Sequence, residues 1–351
     1  IFNLKNLENI RLSYFNKFKG YYKKINDLDN IIIEELKGME KAYNNIIKVC
    51  YEPIFIIRKE LSKKVAIISG GGSGHEPLHG GFVGYGMLDA ACPGPVFTSP
   101  TPDQMEAAVK SVNKDMGVLL LIKNYTGDVM NFQMAEEICK SERINVKSVI
   151  IEDDVAVKDS LYTTGRRGVG ATVFFEKICG ASAEKGDNLD KVIEYANYCK
   201  ENARSMGMAL TSCTVPAAGK PTFNISDDEI EMGIGIHGEP GIERIKIKKA
   251  NEIAEIMMEK ICNDIPYKNG DEVICMVNGM GGTPLMELYI LYNCVEKIAK
   301  NKGIKIARNL VGNYVTSIDM AGASISLIKT NNDILKLWDY PVNTAALRWG
   351  M

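Results

Sequence analysis

A chain of 351 residues, 46% hydrophobic and 25% charged, has the make-up of a globular protein and the length for two domains. Its formal net charge of −2, with both signs interspersed from Lys63 onward, argues against a nucleic-acid-binding surface. Nine scattered cysteines with no Cys-x-x-Cys pair, only three histidines, no signal-peptide pattern and no long apolar run argue against a zinc site, a disulfide framework and a membrane span; the expectation is a cytoplasmic protein with buried thiols.

Residues 1–22 are basic and aromatic and read as an N-terminal extension. An amphipathic helix is expected over 27–43, where Ile31, Ile32, Leu36, Met39 and Ala42 recur at helical spacing. Three short runs come next, each apolar on both faces and each ending in polar residues. Val65-Ala66-Ile67-Ile68 leads into the glycine-rich stretch 70–81. The run 117–123 leads into Asn124-Tyr125-Thr126-Gly127-Asp128 and then helical spacing through Lys140. The run 146–151 ends in Glu152-Asp153-Asp154. Such runs alternating with helices predict an α/β fold whose first domain has a largely parallel sheet covered by helices on both faces. Ligands of such sheets bind outside the carboxyl ends of the strands, where all three polar loops fall.

A helix over 190–206 is expected to lead into a junction at 214–221. Strands over 272–277, 305–307 and 324–328, with a glycine turn at 278–284 before a helix from Leu285, predict a second α/β domain. The expected organisation is an extension at 1–22, a first domain at 23–205 and a second at 206–351.

The histidines lie in glycine-dense segments. His75 and His79 fall in Gly70-Gly71-Gly72-Ser73-Gly74-His75-Glu76-Pro77-Leu78-His79, and His237 in Gly233-Ile234-Gly235-Ile236-His237-Gly238-Glu239-Pro240-Gly241. Glycine lets backbone approach a ligand closely, and imidazole suits proton or nucleophile work near neutral pH. The two loops predict one small-molecule site built from distant segments. The first lacks the Gly-Lys-Ser/Thr ending of a phosphate loop, so His75 reads either as a site residue or as a cap, and His79 as a structural neighbour. Asp128, at an expected helix start, suits both an N-cap and a carboxylate for proton transfer. Glu152, Asp153 and Asp154 are expected to be solvated or capping acids rather than a metal cluster. Arg166-Arg167 either binds phosphate or pairs with acids.

These segments, in this order, resemble the substrate-binding subunit of dihydroxyacetone kinases. The likeness runs through 70–81, 86–94 (Gly-Met-Leu-Asp-Ala-Ala-Cys-Pro-Gly), 97–102, 123–128, 153–162, 165–168, 213–221, 233–241 and 316–320. The resemblance implies that His237 bonds covalently to the ketone carbon of dihydroxyacetone as a hemiaminal. It gives His75 and Asp128 acid/base roles and gives Gly72, Ser73, Gly74 and Lys123 substrate contacts. It further implies that this chain binds no cofactor and that ADP and Mg sit on a separate kinase subunit recharged by a phosphotransferase-system phosphocarrier. The expected assembly is a homodimer with no nucleic-acid or membrane partner. The chain's end at Trp349-Gly350-Met351, after the second α/β domain, favours this stand-alone form. The alternatives are a non-catalytic, dihydroxyacetone-sensing paralogue acting as a transcriptional coactivator, and the substrate domains of an ATP-dependent kinase.

Overall fold

The structure, a computed structural model, describes residues 25–160 and 163–351; the expected extension at 1–22, like Leu161 and Tyr162, lies outside the described residues. Two six-stranded sheets organise the chain. The first contains β1 (Ile47–Tyr51), β2 (Ile54–Arg58), β3 (Ala66–Ser73), β4 (Ala90–Val96), β5 (Val118–Lys123) and β6 (Val146–Ile151) in the order β1-β2-β4-β3-β5-β6. Its last four members are parallel, and β1 and β2 join them antiparallel at one edge. Every residue of β5 is buried, which is why its sequence is apolar without alternation.

The second sheet contains β7 (Ala203–Ala209), β8 (Glu229–Met232), β9 (Glu243–Lys246), β10 (Glu272–Gly279), β11 (Lys305–Gly312) and β12 (Gly322–Lys329), ordered β9-β8-β7-β12-β10-β11. Only β10 and β11 are parallel, so this sheet is mostly antiparallel.

Helices fill the spaces on either side. α1 (Ile31–Ala42) succeeds a short 3-10 turn capped by Asp27 and turns Leu36 inward. α2 (Pro102–Val112) and α3 (Thr126–Ser141) cover one face of the first sheet, where Ile68, Leu120 and Ile122 meet Met105, Val109 and Phe132. α4 (Thr172–Glu184) and α5 (Leu189–Asn202) cover the other. Their buried cluster joins Ile67, Leu119 and Leu121 of the first sheet to Ile274, Met276 and Ile328 of the second. α6 (Ala250–Asp264) and α7 (Leu285–Asn301) close the far face of the second sheet, and α8 (Asn332–Asp339) packs beside α4. The layers thus run helix, sheet, helix, sheet, helix, with α4 and α5 shared.

One expectation is corrected. The helix expected to reach Met206 ends at Asn202, because 203–209 pairs with β12 as a buried strand. The stretch 214–221, expected as a junction, contains a small hairpin, Thr214–Val215 against Lys220–Pro221. Among the described residues no helix is long and apolar enough to cross a membrane.

Candidate active site

From β3 the chain crosses to β4 on one side; from β5 it crosses through α3 to β6 on the other. Connections that diverge in this way leave a crevice beyond the carboxyl ends of β3 and β5. His75 lies just past β3, and Asp128 lies in the first turn of α3. The second sheet supplies His237 from the loop between β8 and β9. The His237 ring meets the His75 ring at 4.7 Å between centroids, edge to face. Tyr125 at 4.6 Å and Phe97 at 5.1 Å complete the collar, and Phe97 also stacks on His75. The loops that the sequence singled out do converge.

What holds each imidazole decides its chemistry. Nδ1 of His237 lies 3.1 Å from Oε1 of Glu239, whose Oε2 accepts the backbone N–H of His237. Burial alone would push the Glu239 carboxyl up, but the His237 imidazole and the Arg167 guanidinium hold it down to about 2. An ionised carboxylate only accepts, so the His237 proton is assigned to Nδ1 and Nε2 keeps its lone pair. His75 is fully buried. Its Nδ1 donates to the Thr316 carbonyl at 2.8 Å, and its Nε2 is buried without a hydrogen-bond partner. Burial, then the nearby His237 and Lys123 charges, depress its pKa well below 6.5, so the ring is neutral and its Nε2 is a vacant acceptor.

Lys123 and Asp128 are both buried, with Nζ 3.6 Å from Oδ2. Nζ also donates to the Gly70 carbonyl at 3.1 Å and contacts His79 Nε2 at 2.7 Å. Gly71 makes room for this group, since a Cβ there would lie 2.2 Å from Nζ. Asp128 is the third residue of α3 and not its cap. Of the other expected contacts, Ser73 spends its hydroxyl proton on the Gly94 carbonyl, and the Gly74 N–H is held by the Glu76 carboxylate. Gly72 lines the same crevice wall against Phe97 and Thr98.

The acids expected to be solvated are largely buried. Asp153 accepts the N–H groups of Val169 and Ala171, and Asp154 pairs with Arg167; only Glu152 stays partly exposed, beside Lys200. Arg167 is buried and bonds both Asp154 and the Gly233 carbonyl, while Arg166 pairs with Asp264. Neither arginine is placed as a phosphate ligand. Among the described residues no group of three His, Cys, Asp or Glu could hold a metal ion. Sequence reasoning missed Glu239, Tyr125 and Phe97. Glu239 carried one signal, a carboxylate two residues from His237.

Comparison with known proteins bears on what this crevice does. Residues 37–346 match the Dak1 domain. The chain is 45% identical to the dihydroxyacetone-binding subunit DhaK of the PEP-dependent dihydroxyacetone kinase of Escherichia coli K12, over 93% of this chain and 99% of that one. Among solved structures it is similar to the dihydroxyacetone kinase operon co-activator DhaQ (TM-score 0.84, 35% identity, 89% of this chain and 96% of that one). It is also similar to the dihydroxyacetone kinase of C. freundii in complex with AMP-PNP and Mg2+ (TM-score 0.86, 33% identity, 94% of this chain), of which it spans 61%.

Proposed function

The chain belongs to the Dak1 domain family, and from that premise we propose that it is the dihydroxyacetone-binding subunit of a phosphotransferase-system-dependent dihydroxyacetone kinase. It captures dihydroxyacetone at His237 and presents a terminal hydroxyl to an ADP-carrying partner subunit. ADP and Mg belong to that partner, which a phosphocarrier recharges. The observation that carries the reading is the His237–Glu239 contact beside the vacant Nε2 of a neutral His75.

Nε2 of His237 attacks the ketone carbon, a C–N bond forms, and the carbonyl π pair moves to oxygen. The oxygen takes a proton from solvent while the imidazolium releases its Nδ1 proton through Glu239 back to solvent, so no net proton is gained and the hemiaminal is neutral overall. His75 Nε2 accepts a substrate hydroxyl. Asp128, facing the Lys123 ammonium, takes the proton of the terminal hydroxyl as that oxygen attacks the phosphoryl group carried by the recharged partner, with ADP as the leaving group. Capture before transfer fixes the nucleophile, so much of its entropy is lost ahead of the chemical step. It also demands a carbonyl. Packing differences between small polar molecules are worth about 1–3 kcal/mol, whereas glycerol has no carbon for His237 to attack.

A crystal soaked in dihydroxyacetone tests the capture: continuous density from His237 Nε2 to the ketone carbon is expected, and sugar bound without that link would sink it. His237→Ala should lose tight ketone binding in calorimetry. The likeness to the co-activator supports a second reading, a sensor that captures ketone without turnover. Phosphorylation with the ADP-loaded partner, recharged by a phosphocarrier and phosphoenolpyruvate, separates the two. Turnover from ATP alone, with no partner, would instead favour the ATP-dependent form.

A further inference from the structure

Behind Lys123 lies a row of buried polar groups that this mechanism leaves unused. Oε1 of Glu176, in α4, is 2.6 Å from His79 Nδ1, and His79 Nε2 is 2.7 Å from Lys123 Nζ. Lys123 in turn faces Asp128. Glu176, His79, Lys123 and Asp128 come from four separate segments, and none is more than 6% exposed.

An imidazole between a carboxyl group and an amine can bridge them in two ways. In the first, Glu176 is ionised and accepts Nδ1–H, while Nε2 accepts from the Lys123 ammonium. In the second, Lys123 has passed a proton to Nε2 as Nδ1 passed its own to Glu176. The result is a carboxylic acid, an imidazole protonated at Nε2 and a neutral amine. Two protons move and none is gained or lost. Burial raises Glu176 well above the ordinary carboxylate range, and burial lowers Lys123, which Asp128 and Glu176 partly restore. Burial also keeps His79 neutral. The two patterns differ in what Asp128 faces, an ammonium or an amine. The other titratable groups bearing on this row are His75, whose protonation would disfavour that of His79, and the Cys179 thiol beside Glu176.

We propose that Glu176 and His79 are positioning residues that fix the direction and protonation of Lys123 and thereby the charge that Asp128 faces. Their importance for turnover rests on the function proposed above; the coupling itself is a property of the ligand-free protein. It is therefore tested first without substrate, by 15N NMR titration of lysine side chains, with the Lys123 signal assigned by its loss in Lys123→Arg.

Glu176→Gln removes a buried negative charge, so the Lys123 midpoint is expected to fall by about one pH unit or more, a tenfold change in its proton affinity. His79→Leu, which cuts the bridge, should do the same. His79→Gln, whose amide can accept from Lys123 and donate to Glu176, should restore the midpoint. Unmoved midpoints in both Glu176→Gln and His79→Leu overturn the coupling. In turnover assays with the ADP-loaded partner, its phosphocarrier and a phosphoenolpyruvate-driven phosphoryl supply, the alkaline limb of the pH profile should shift down in the same two variants and return in His79→Gln. A shifted Lys123 with an unmoved limb overturns its part in the reaction. Absent turnover by the wild type defeats the proposed function instead, and leaves the NMR result to decide the coupling.

Discussion

On the proposed function, His237 would owe its reactivity to the group that holds its other nitrogen. Glu239 fixes the proton on Nδ1, and Arg167 helps keep Glu239 ionised. In Glu239→Gln the amide can donate to Nδ1 and drive the proton onto Nε2, which then has no lone pair to attack with. A hydrogen bond to a charged group is worth about 1.5–3 kcal/mol, so the variant should turn over roughly 10- to 150-fold more slowly. Steady-state rates with the ADP-loaded partner and the phosphocarrier that recharges it would measure this, and a rate within about threefold of wild type would deny Glu239 the role. The histidines and Asp128 were legible in the sequence because glycine-rich ends of apolar strands are few. The setting of Glu239 and Arg167 was not. It depends on Arg167 crossing from the first sheet's loops to Gly233, which no local pattern encodes.

Among elements, the legible strands were β3, β5, β10 and β12, buried on both faces, together with β6 and β11, whose apolar runs are only partly covered. β4 was not legible because Pro93 and Pro95 interrupt it. The structure tolerates them: β2 pairs with β4 only at Ala90 and Ala91, so the prolines lie beyond that ladder and their missing N–H groups are not needed there. The overlong helix at 190–206 had a similar origin, since Met206 and Met208 suit a helix as readily as the buried strand they occupy. α4 offers a test of close packing. Gly180 sits mid-helix, where alanine ordinarily gains about 1 kcal/mol. Here a Cβ would lie 2.4 Å from the Cα and carbonyl oxygen of Met87, which is backbone and cannot rotate away. Overpacking of this kind costs about 1–3 kcal/mol, so Gly180→Ala should lower the melting temperature. A rise would mean that the 84–88 turn yields freely.

For the molecule as a whole, the layered burial predicts which thiols meet solvent. Cys92, Cys139, Cys179, Cys199, Cys213 and Cys275 are buried, while Cys50, Cys262 and Cys294 are partly accessible. Burial also pushes the Cys139 thiol up to about 11 and that of Cys275 up to about 12, so both stay protonated at neutral pH. A thiol reagent at pH 8 should therefore modify at most those three quickly, and all nine cysteines after denaturation. Rapid native labelling of Cys275 would contradict the packing of the second sheet. Composition and strand pattern made the two-domain α/β plan legible. The shared middle layer of α4 and α5 was not, since α4 is buried all round, its Glu176 and Lys177 included, and its sequence carries no sign of how many sheets it serves.

Arg167 spans the seam between the halves, bonded to Asp154 on one side and to the Gly233 carbonyl on the other. Such a rivet sets the spacing between the His237 loop and the loops that carry His75 and Asp128 before any ligand arrives. The empty and loaded forms should then superpose almost unchanged, and cutting the rivet with Arg167→Met should loosen amide protection around Gly233 even where the rest of the fold stays sealed.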